Sequence, residues 1–373
     1  MKKILFFPLL RLPSGHHQVA DTIAGYLKNR NLEIECKKID LLSEWNSVVE
    51  SIVTNSYLKW IHHSPKTYAW IYKQMAYTSE SGRSYKYYDF LFLNKMKQIL
   101  ADEKPDLIIC THGFPSYFLN LLKSKNECNV PVINVYTDFF INDVWGKKYI
   151  DFHFVPNLGA KDYLINSNSI SEEKIIVTGI PTNEAFDTKI NYGKNGTDIS
   201  VLLSGGSVGL GNISEILQKS KASNIEFFVL CGKNKKLFQE IEQLNSRNIH
   251  PLQYISSREE MNELYSKVDA IVTKPGGGTI SEALKKGIPI FVNSALPGQE
   301  EINLNMLTEL NLVQKLDEIK SLDEQITEFF NDKKLVEQFQ TALQQYLSEI
   351  AAGNPDKISE LIKSLIYKSP AND

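Results

Sequence analysis

Cysteine is scarce here. The 373 residues include only Cys36, Cys110, Cys128 and Cys231. No two of them have the spacing of a zinc ligand pair or a redox dithiol. Such scattered thiols fit a reducing compartment, where they stay free. An excess of positive charge is also missing. The net charge is −3, so no global basic field argues for a nucleic-acid partner. There is no run of about 18 apolar residues, which excludes a spanning helix and leaves only peripheral membrane contact. The opening Met1–Pro8 begins like a signal peptide, but its apolar run is short and Arg11 and Pro13 break it. It reads better as a first buried strand. Internal repeats and low-complexity tracts are absent as well.

What the chain has instead is alternation. Ile4–Leu10 reads as a strand, and His17–Asn29 as a helix with Val19, Ile23 and Leu27 on one face. Leu32–Ile39, Leu107–Thr111, Val132–Tyr136 and Phe152–Pro156 read as further strands. Short apolar strands separated by helices predict a parallel sheet covered on both faces. The second half repeats this order. Its strands are Ile199–Ser204, Ile225–Cys231, Ala270–Thr273 and Ile288–Asn293, and its helices are Asn212–Lys219, Leu237–Leu244 and Glu259–Ser266. Between the halves, the polar stretch Thr182–Asp198 has no apolar period and reads as a linker. Helical patterning fills the chain after Ser321 and closes with a helix over Pro355–Tyr367. The expected fold is α/β, with two doubly wound domains and a cleft between them. Residues 1–181 form the first domain and residues 182–349 the second, and a helix over about 350–373 packs back on the first. Ligands of such sheets bind beyond the carboxyl ends of the strands, and every glycine-rich turn of this chain lies at such an end.

The most informative segment is Thr273-Lys274-Pro275-Gly276-Gly277-Gly278-Thr279-Ile280-Ser281-Glu282. A strand, a glycine turn and a helix start, in that order, make an anion site: backbone can approach a phosphate, and free N–H groups point at it. Glu282 lies one helical turn further on, where a carboxylate could accept from a ribose. A tight turn with a surface Glu is the plainer alternative. Ser204-Gly205-Gly206-Ser207-Val208-Gly209-Leu210-Gly211 is a second glycine loop between a strand and a helix. A dinucleotide fingerprint needs an acidic residue at the end of the next strand. Glu226 stands at the start of that strand instead, which argues against nicotinamide binding.

Three further segments follow strands. Pro13-Ser14-Gly15-His16-His17 offers a histidine as general base, or merely a helix start. Tyr136-Thr137-Asp138-Phe139 places Asp138 to orient His16, to act as the base itself, or to cap a helix. Leu296-Pro297-Gly298-Gln299-Glu300, with Asn303, carries residue types that hydrogen-bond sugar hydroxyls. Away from these, Tyr57–Phe92 mixes aromatics, Trp60, Trp70 and Tyr72 among them, with lysines and an arginine. That mixture suits a bilayer interface, a greasy groove, or a helical layer packed on a sheet.

Taken in order, these segments resemble glycosyltransferase family 28, nearest its branch of processive diacylglycerol glucosyltransferases and plant monogalactosyldiacylglycerol synthase. The resemblance is carried by Gly15-His16 with Ala20, Thr137-Asp138-Phe139 with Trp145, Thr178-Gly179-Ile180-Pro181, Cys231-Gly232-Lys233-Asn234, Thr273–Ala283, and Pro297–Glu300 with Asn303. These motifs span nearly the whole chain. The resemblance implies a GT-B fold of two Rossmann-like domains and an inverting, metal-independent transfer of a hexose from a UDP-sugar. It implies that Gly276, Gly277, Gly278 and Thr279 face the diphosphate, with Lys274, Gly206 and Gly15 on the donor side. Glu282 would bind the ribose, and Gln299, Glu300 and Asn303 the sugar. Gly232, Lys233, Asn234, Tyr254 and Ile255 would flank the uracil. His16 and Asp138 would serve the acceptor, and Trp60, Trp70, Tyr72 and Trp145 the acceptor or the membrane.

No cofactor is implied, because the UDP-sugar is a substrate. No metal is implied either, and the adjacent pairs Glu259-Glu260 and Glu300-Glu301 point in different directions on a helix. The expected acceptor is a lipid hydroxyl, that of diacylglycerol or a glycosyldiacylglycerol. The enzyme would then work in the cytoplasm, peripherally at the inner face of the cell membrane. A soluble, polyprenyl or glycoside acceptor is the alternative. Asn142 stands where the family commonly has histidine, and it leans toward a second alternative, a nucleotide-sugar-binding protein that has lost catalysis.

Overall fold

The computed structural model describes residues 1–9, 14–45, 86–187, 199–205, 213, 217, 220 and 224–367. Gly206, Trp60, Trp70, Tyr72, most of the aromatic Tyr57–Phe92 stretch and nearly all of the expected helix Asn212–Lys219 lie outside the described residues. The described chain divides into two compact units. One holds Met1–Thr182, Pro297–Gln299 and Glu349–Asp373; the other holds Asn183–Leu296 and Glu300–Ser348.

The first unit is built on β1 (Lys2–Phe7), β2 (Ile34–Lys38), β3 (Leu107–Cys110), β4 (Val132–Val135), β5 (Phe152–Val155) and β6 (Ile175–Val177). They form one sheet in the order β2-β1-β3-β4-β5-β6, and every pairing is parallel. Ile4, Leu5, Phe6 and Phe7 are fully buried, as are all four residues of β3. This is why the strands read as unbroken apolar runs. Its described helices before β6 are α1 (Gly15–Asn29), α2 (Leu41–Trp45), α3 (Lys86–Glu103), α4 (Gly113–Ser124) and α5 (Leu158–Asn168).

The second unit carries β7 (Ile199–Ser204), β8 (Ile225–Leu230), β9 (Ile249–Leu252), β10 (Ala270–Thr273), β11 (Ile290–Val292) and β12 (Gln314–Lys315). Its sheet is also parallel and has the order β12-β11-β10-β7-β8-β9. Relabelled by position within the unit, that is the Rossmann order 3-2-1-4-5-6. Its described helices are α6 (Lys235–Gln243), α7 (Arg258–Lys267), α8 (Gly277–Lys286), α9 (Gln299–Glu309), α10 (Leu322–Asn331) and α11 (Lys333–Glu349). Helix α12 (Pro355–Tyr367) clusters with the first unit, where it packs against α1 and joins it through the Arg30–Asp356 ion pair.

The described start of the expected linker is more ordered than its composition suggests. Glu184–Asp187 forms a turn of 3₁₀ helix, and Phe186 is fully buried edge-on against Tyr265. One aromatic side chain anchors a segment that otherwise has no apolar period.

Candidate active site

In an open parallel sheet, the crevice for ligands opens where the strand order reverses. For the second sheet this point lies between β7 and β10, which are paired from Ala270↔Val201 to Thr273↔Ser204. The turn after β10 is Lys274-Pro275-Gly276, and α8 starts at once. Its N-cap, Gly276, provides no side-chain cap. The first-turn N–H groups of α8 therefore stay available to an anion and sit at the positive end of the helix dipole. A Cβ at Gly276 would meet nothing within 4 Å, so backbone here can be approached closely. Behind the turn, Asn303 Nδ2 donates to the Pro275 carbonyl at 3.2 Å. Asn303 is only 1% exposed. It thus braces the glycine turn from within.

Glu282 lies on α8 and is nearly buried. Arg258 Nη1 donates to its Oε1 and Tyr265 Oη to its Oε2, each at 3.2 Å. Burial pushes the Glu282 carboxyl above its ordinary range, and the Arg258 charge and the Tyr265 hydroxyl oppose that shift. Two of its roughly four lone-pair sites are thereby taken, and a ribose would share the carboxylate with Arg258 and Tyr265. At the end of β8, Gly232 turns the chain with φ +58°, and Asn234 caps α6 by accepting from Leu237 N. Lys233 Nζ sits 5.2 Å above the ring of Tyr254, which is 58% exposed. An exposed ring beside a cation is a surface on which a nucleobase can stack. Ile255 follows, half-buried.

The first sheet reverses between β1 and β3, and α1 starts beyond β1. His16 occupies the second position of α1, half-buried. Its Nδ1 lies 2.8 Å from the carbonyl oxygen of Thr111, beyond β3, and 2.9 Å from Thr137 Oγ1, beyond β4. A carbonyl oxygen can only accept, so Nδ1 carries the proton and Nε2 keeps its lone pair. Burial pulls the His16 pKa below the ordinary histidine value; the Asp138 charge and the Thr111 carbonyl pull it back up, and His17 adds to the lowering. The ring is therefore neutral near pH 7, as a general base must be.

Asp138 acts on His16 through charge, while Thr111 and Thr137 supply the hydrogen bonds that fix the ring. The Asp138 carboxylate accepts from Gln299 Nε2 at 2.7 Å. Glu300 turns back onto its own loop, where its Oε2 accepts from Leu296 N at 2.7 Å. Asn142 Oδ1 accepts from Val144 N at 3.1 Å and so helps to shape a turn.

Trp145 differs from expectation. It is 6% exposed, and its ring lies 4.5 Å from that of Tyr136. The neighbouring Gly146 lets this segment press against α4: a Cβ there would stand 2.4 Å from Asn120 Cβ and 2.5 Å from the Ser116 carbonyl. Such a close approach buries the indole, so Trp145 is a packing residue and offers no face to a lipid.

Thr111 and His112 also stand here, at the end of β3, outside any of the sequence motifs. His112 caps α4, its Nδ1 accepting from Phe114 N at 3.0 Å, and its ring meets that of His16 edge-on with centroids 4.7 Å apart. The signal was available: a histidine directly after a buried strand, at the reversal point of the first sheet.

The family model for monogalactosyldiacylglycerol (MGDG) synthase matches residues 16–182, and that for the glycosyltransferase family 28 C-terminal domain matches residues 200–357. The chain is 39% identical to the uncharacterized glycosyltransferase YkoN of Bacillus subtilis over 99% of this chain and 98% of that protein. It is 30% identical to a processive diacylglycerol beta-glucosyltransferase of Bacillus cereus, covering 78% of this chain and 76% of that one. This chain is a family 28 glycosyltransferase. Its GT-B fold also aligns with S. aureus MnaA, solved with UDP, at a TM-score of 0.58 and 16% identity, over 98% of this chain and 96% of that one. The first matched region of the transferase holds His16, His112 and Asp138, and the second holds the glycine turn. Among the described residues, no helix of the transferase is long and apolar enough to cross a membrane.

Proposed function

We propose that this transferase moves a hexose from a UDP-sugar to the hydroxyl of a lipid, diacylglycerol or a glycosyldiacylglycerol, with inversion and without a metal. The observation that carries this reading is the open, uncapped N-terminus of α8 behind the glycine turn at the reversal point of the second sheet. Backbone amides and a helix dipole stabilise the charge that collects on a departing diphosphate. The exposed Tyr254 beside Lys233 gives a uracil a ring to stack on. Supporting the donor class, a protein of the same fold has been solved with UDP. Supporting the acceptor class, a relative of 30% identity is named for glucosyl transfer to diacylglycerol.

In the proposed step, His16 Nε2 takes the proton of the acceptor hydroxyl. The oxygen attacks the anomeric carbon from the face opposite the diphosphate, and the bond from that carbon to the diphosphate oxygen breaks. The electron pair leaves with UDP, whose new charge faces the α8 amides. The proton held by His16 then passes to water. A screen of UDP-hexoses against a bacterial lipid extract, read by mass spectrometry, tests the reading. Glycosylated diacylglycerol supports it. UDP release without any glycolipid, or glycosylation of water-soluble acceptors alone, overturns it.

A further inference from the structure

The two histidines at the reversal point of the first sheet hold opposite tautomers. His16 gives its Nδ1 proton to the Thr111 carbonyl at 2.8 Å, so its Nε2 is an acceptor. His112 takes the Phe114 amide proton on Nδ1 at 3.0 Å, so its neutral ring must carry a proton on Nε2. Burial and the neighbouring His16 keep the His112 pKa well below the ordinary histidine value, so the ring is neutral. Both rings are half-buried and meet edge-on at 4.7 Å. Neither Nε2 has a hydrogen-bond partner among the described residues. The buried hydroxyl oxygens of Thr111 and Ser14, beside them in sequence, also lack partners among the described residues. One fixed acceptor and one fixed donor are thus carried on two rings in contact, with unused hydrogen-bonding capacity on both.

We propose that His112 is a second acceptor-binding residue, whose Nε2–H donates to an oxygen on the carbon next to the reacting hydroxyl. The inference rests on the transferase reading above and narrows its acceptor class. The substrate is an alcohol with a second oxygen on the adjacent carbon, either the ester oxygen of an acylglycerol or the neighbouring hydroxyl of a sugar. An alcohol with a lone hydroxyl leaves the His112 proton unused.

Two substitutions separate this role from folding. His112→Asn keeps a good helix cap for Phe114 N and removes the outer N–H. His112→Gln keeps an amide N–H near the position of Nε2. Transfer by the full-length chain is measured with 1,2-diacylglycerol, an alkyl glucoside and 1-dodecanol, alongside UDP affinity by calorimetry and the melting temperature. The expected result for His112→Asn is an acceptor KM raised about tenfold, the worth of one neutral hydrogen bond, with unchanged UDP affinity. The rise should occur with diacylglycerol if the second oxygen is an ester, or with the glucoside if it is a sugar hydroxyl. It should not occur with dodecanol, and His112→Gln should recover most of the loss. Equal loss with dodecanol, or equal loss in both variants, overturns the inference. So does an unchanged acceptor KM in His112→Asn while the wild-type chain transfers normally. Absence of transfer by the wild-type chain to any of the three alcohols overturns the transferase reading, and this inference with it.

Discussion

The two sheets reverse their strand order in the same way and equip the reversal with opposite chemistry. In the first, the strand ends hold titratable side chains, His16 and His112, with Thr111 and Thr137 around them. In the second, the strand end holds backbone, an uncapped helix start behind glycines with nothing near Gly276. The first can serve a group that loses a proton, the second a group that gains negative charge. One topology serves both because it fixes only where the strand ends meet, and the residues placed there decide the chemistry.

Acid should separate the two units most sharply. The first unit holds His16 and His112, half-buried, and His153, fully buried, all with lowered pKa values, that of His153 pulled down to about 3 by burial. The second unit has one histidine, His250. Between pH 6.5 and about 3 the unfolded chain binds a proton that folded His153 does not, so stability rises with pH across that window and is lost on acidification. Each pH unit of that window is worth about 1.4 kcal/mol, so His153 accounts for a few kcal/mol. Hydrogen exchange followed down the pH scale should show β4 and β5 losing protection before β7 and β10. Simultaneous loss would dissolve the contrast.

His16→Ala should lower turnover on the order of 10²-fold or more and leave UDP affinity by calorimetry intact. Normal turnover would remove the proton chemistry from the first sheet. Gly276→Val should do the reverse, weakening UDP binding by about tenfold or more, or 1.4 kcal/mol. The backbone there, φ −83°, accepts any residue without strain. An unchanged Kd with a normal melting temperature would show that the phosphate binds elsewhere.

The smallest effect concerns tuning. The acidic limb of kcat/KM should lie below the ordinary histidine value of about 6.5, since burial lowers His16. Asp138→Asn should move that limb further down, because the Asp138 charge holds the His16 pKa up against burial and His17. A limb that stays in place would mean that the Asp138 charge does not tune His16.

Much of the fold is legible because its punctuation is strong. Strands β7 and β10 run over the residues that the apolar pattern marks, and α8 ends at Gly287, φ +65°, with Pro289 two residues beyond. Strand β9 escapes because His250-Pro251 sits in it; as a sheet edge it tolerates the missing N–H of proline. Strand β12 is two residues long, too short for any periodicity. Within the site, glycines and charges are readable as types, but their partners are not. Glu282 looks like a free carboxylate until Arg258 and Tyr265 arrive from another helix. Trp145 looks like a surface aromatic until Gly146 brings its segment against α4. His112 is an ordinary residue in sequence and gains its meaning only from the ring of His16 across the reversal point.

The clasp of α12 on α1 bears on when the site can form. Arg30 and Asp356 are 326 positions apart, and Gly353 packs so closely on Thr178 that a Cβ there would overlap its carbonyl. On a ribosome, the helix that carries His16 is thus made early and covered late. Helix α1 can therefore gain the packing of α12 only after residues 349–367 have left the tunnel.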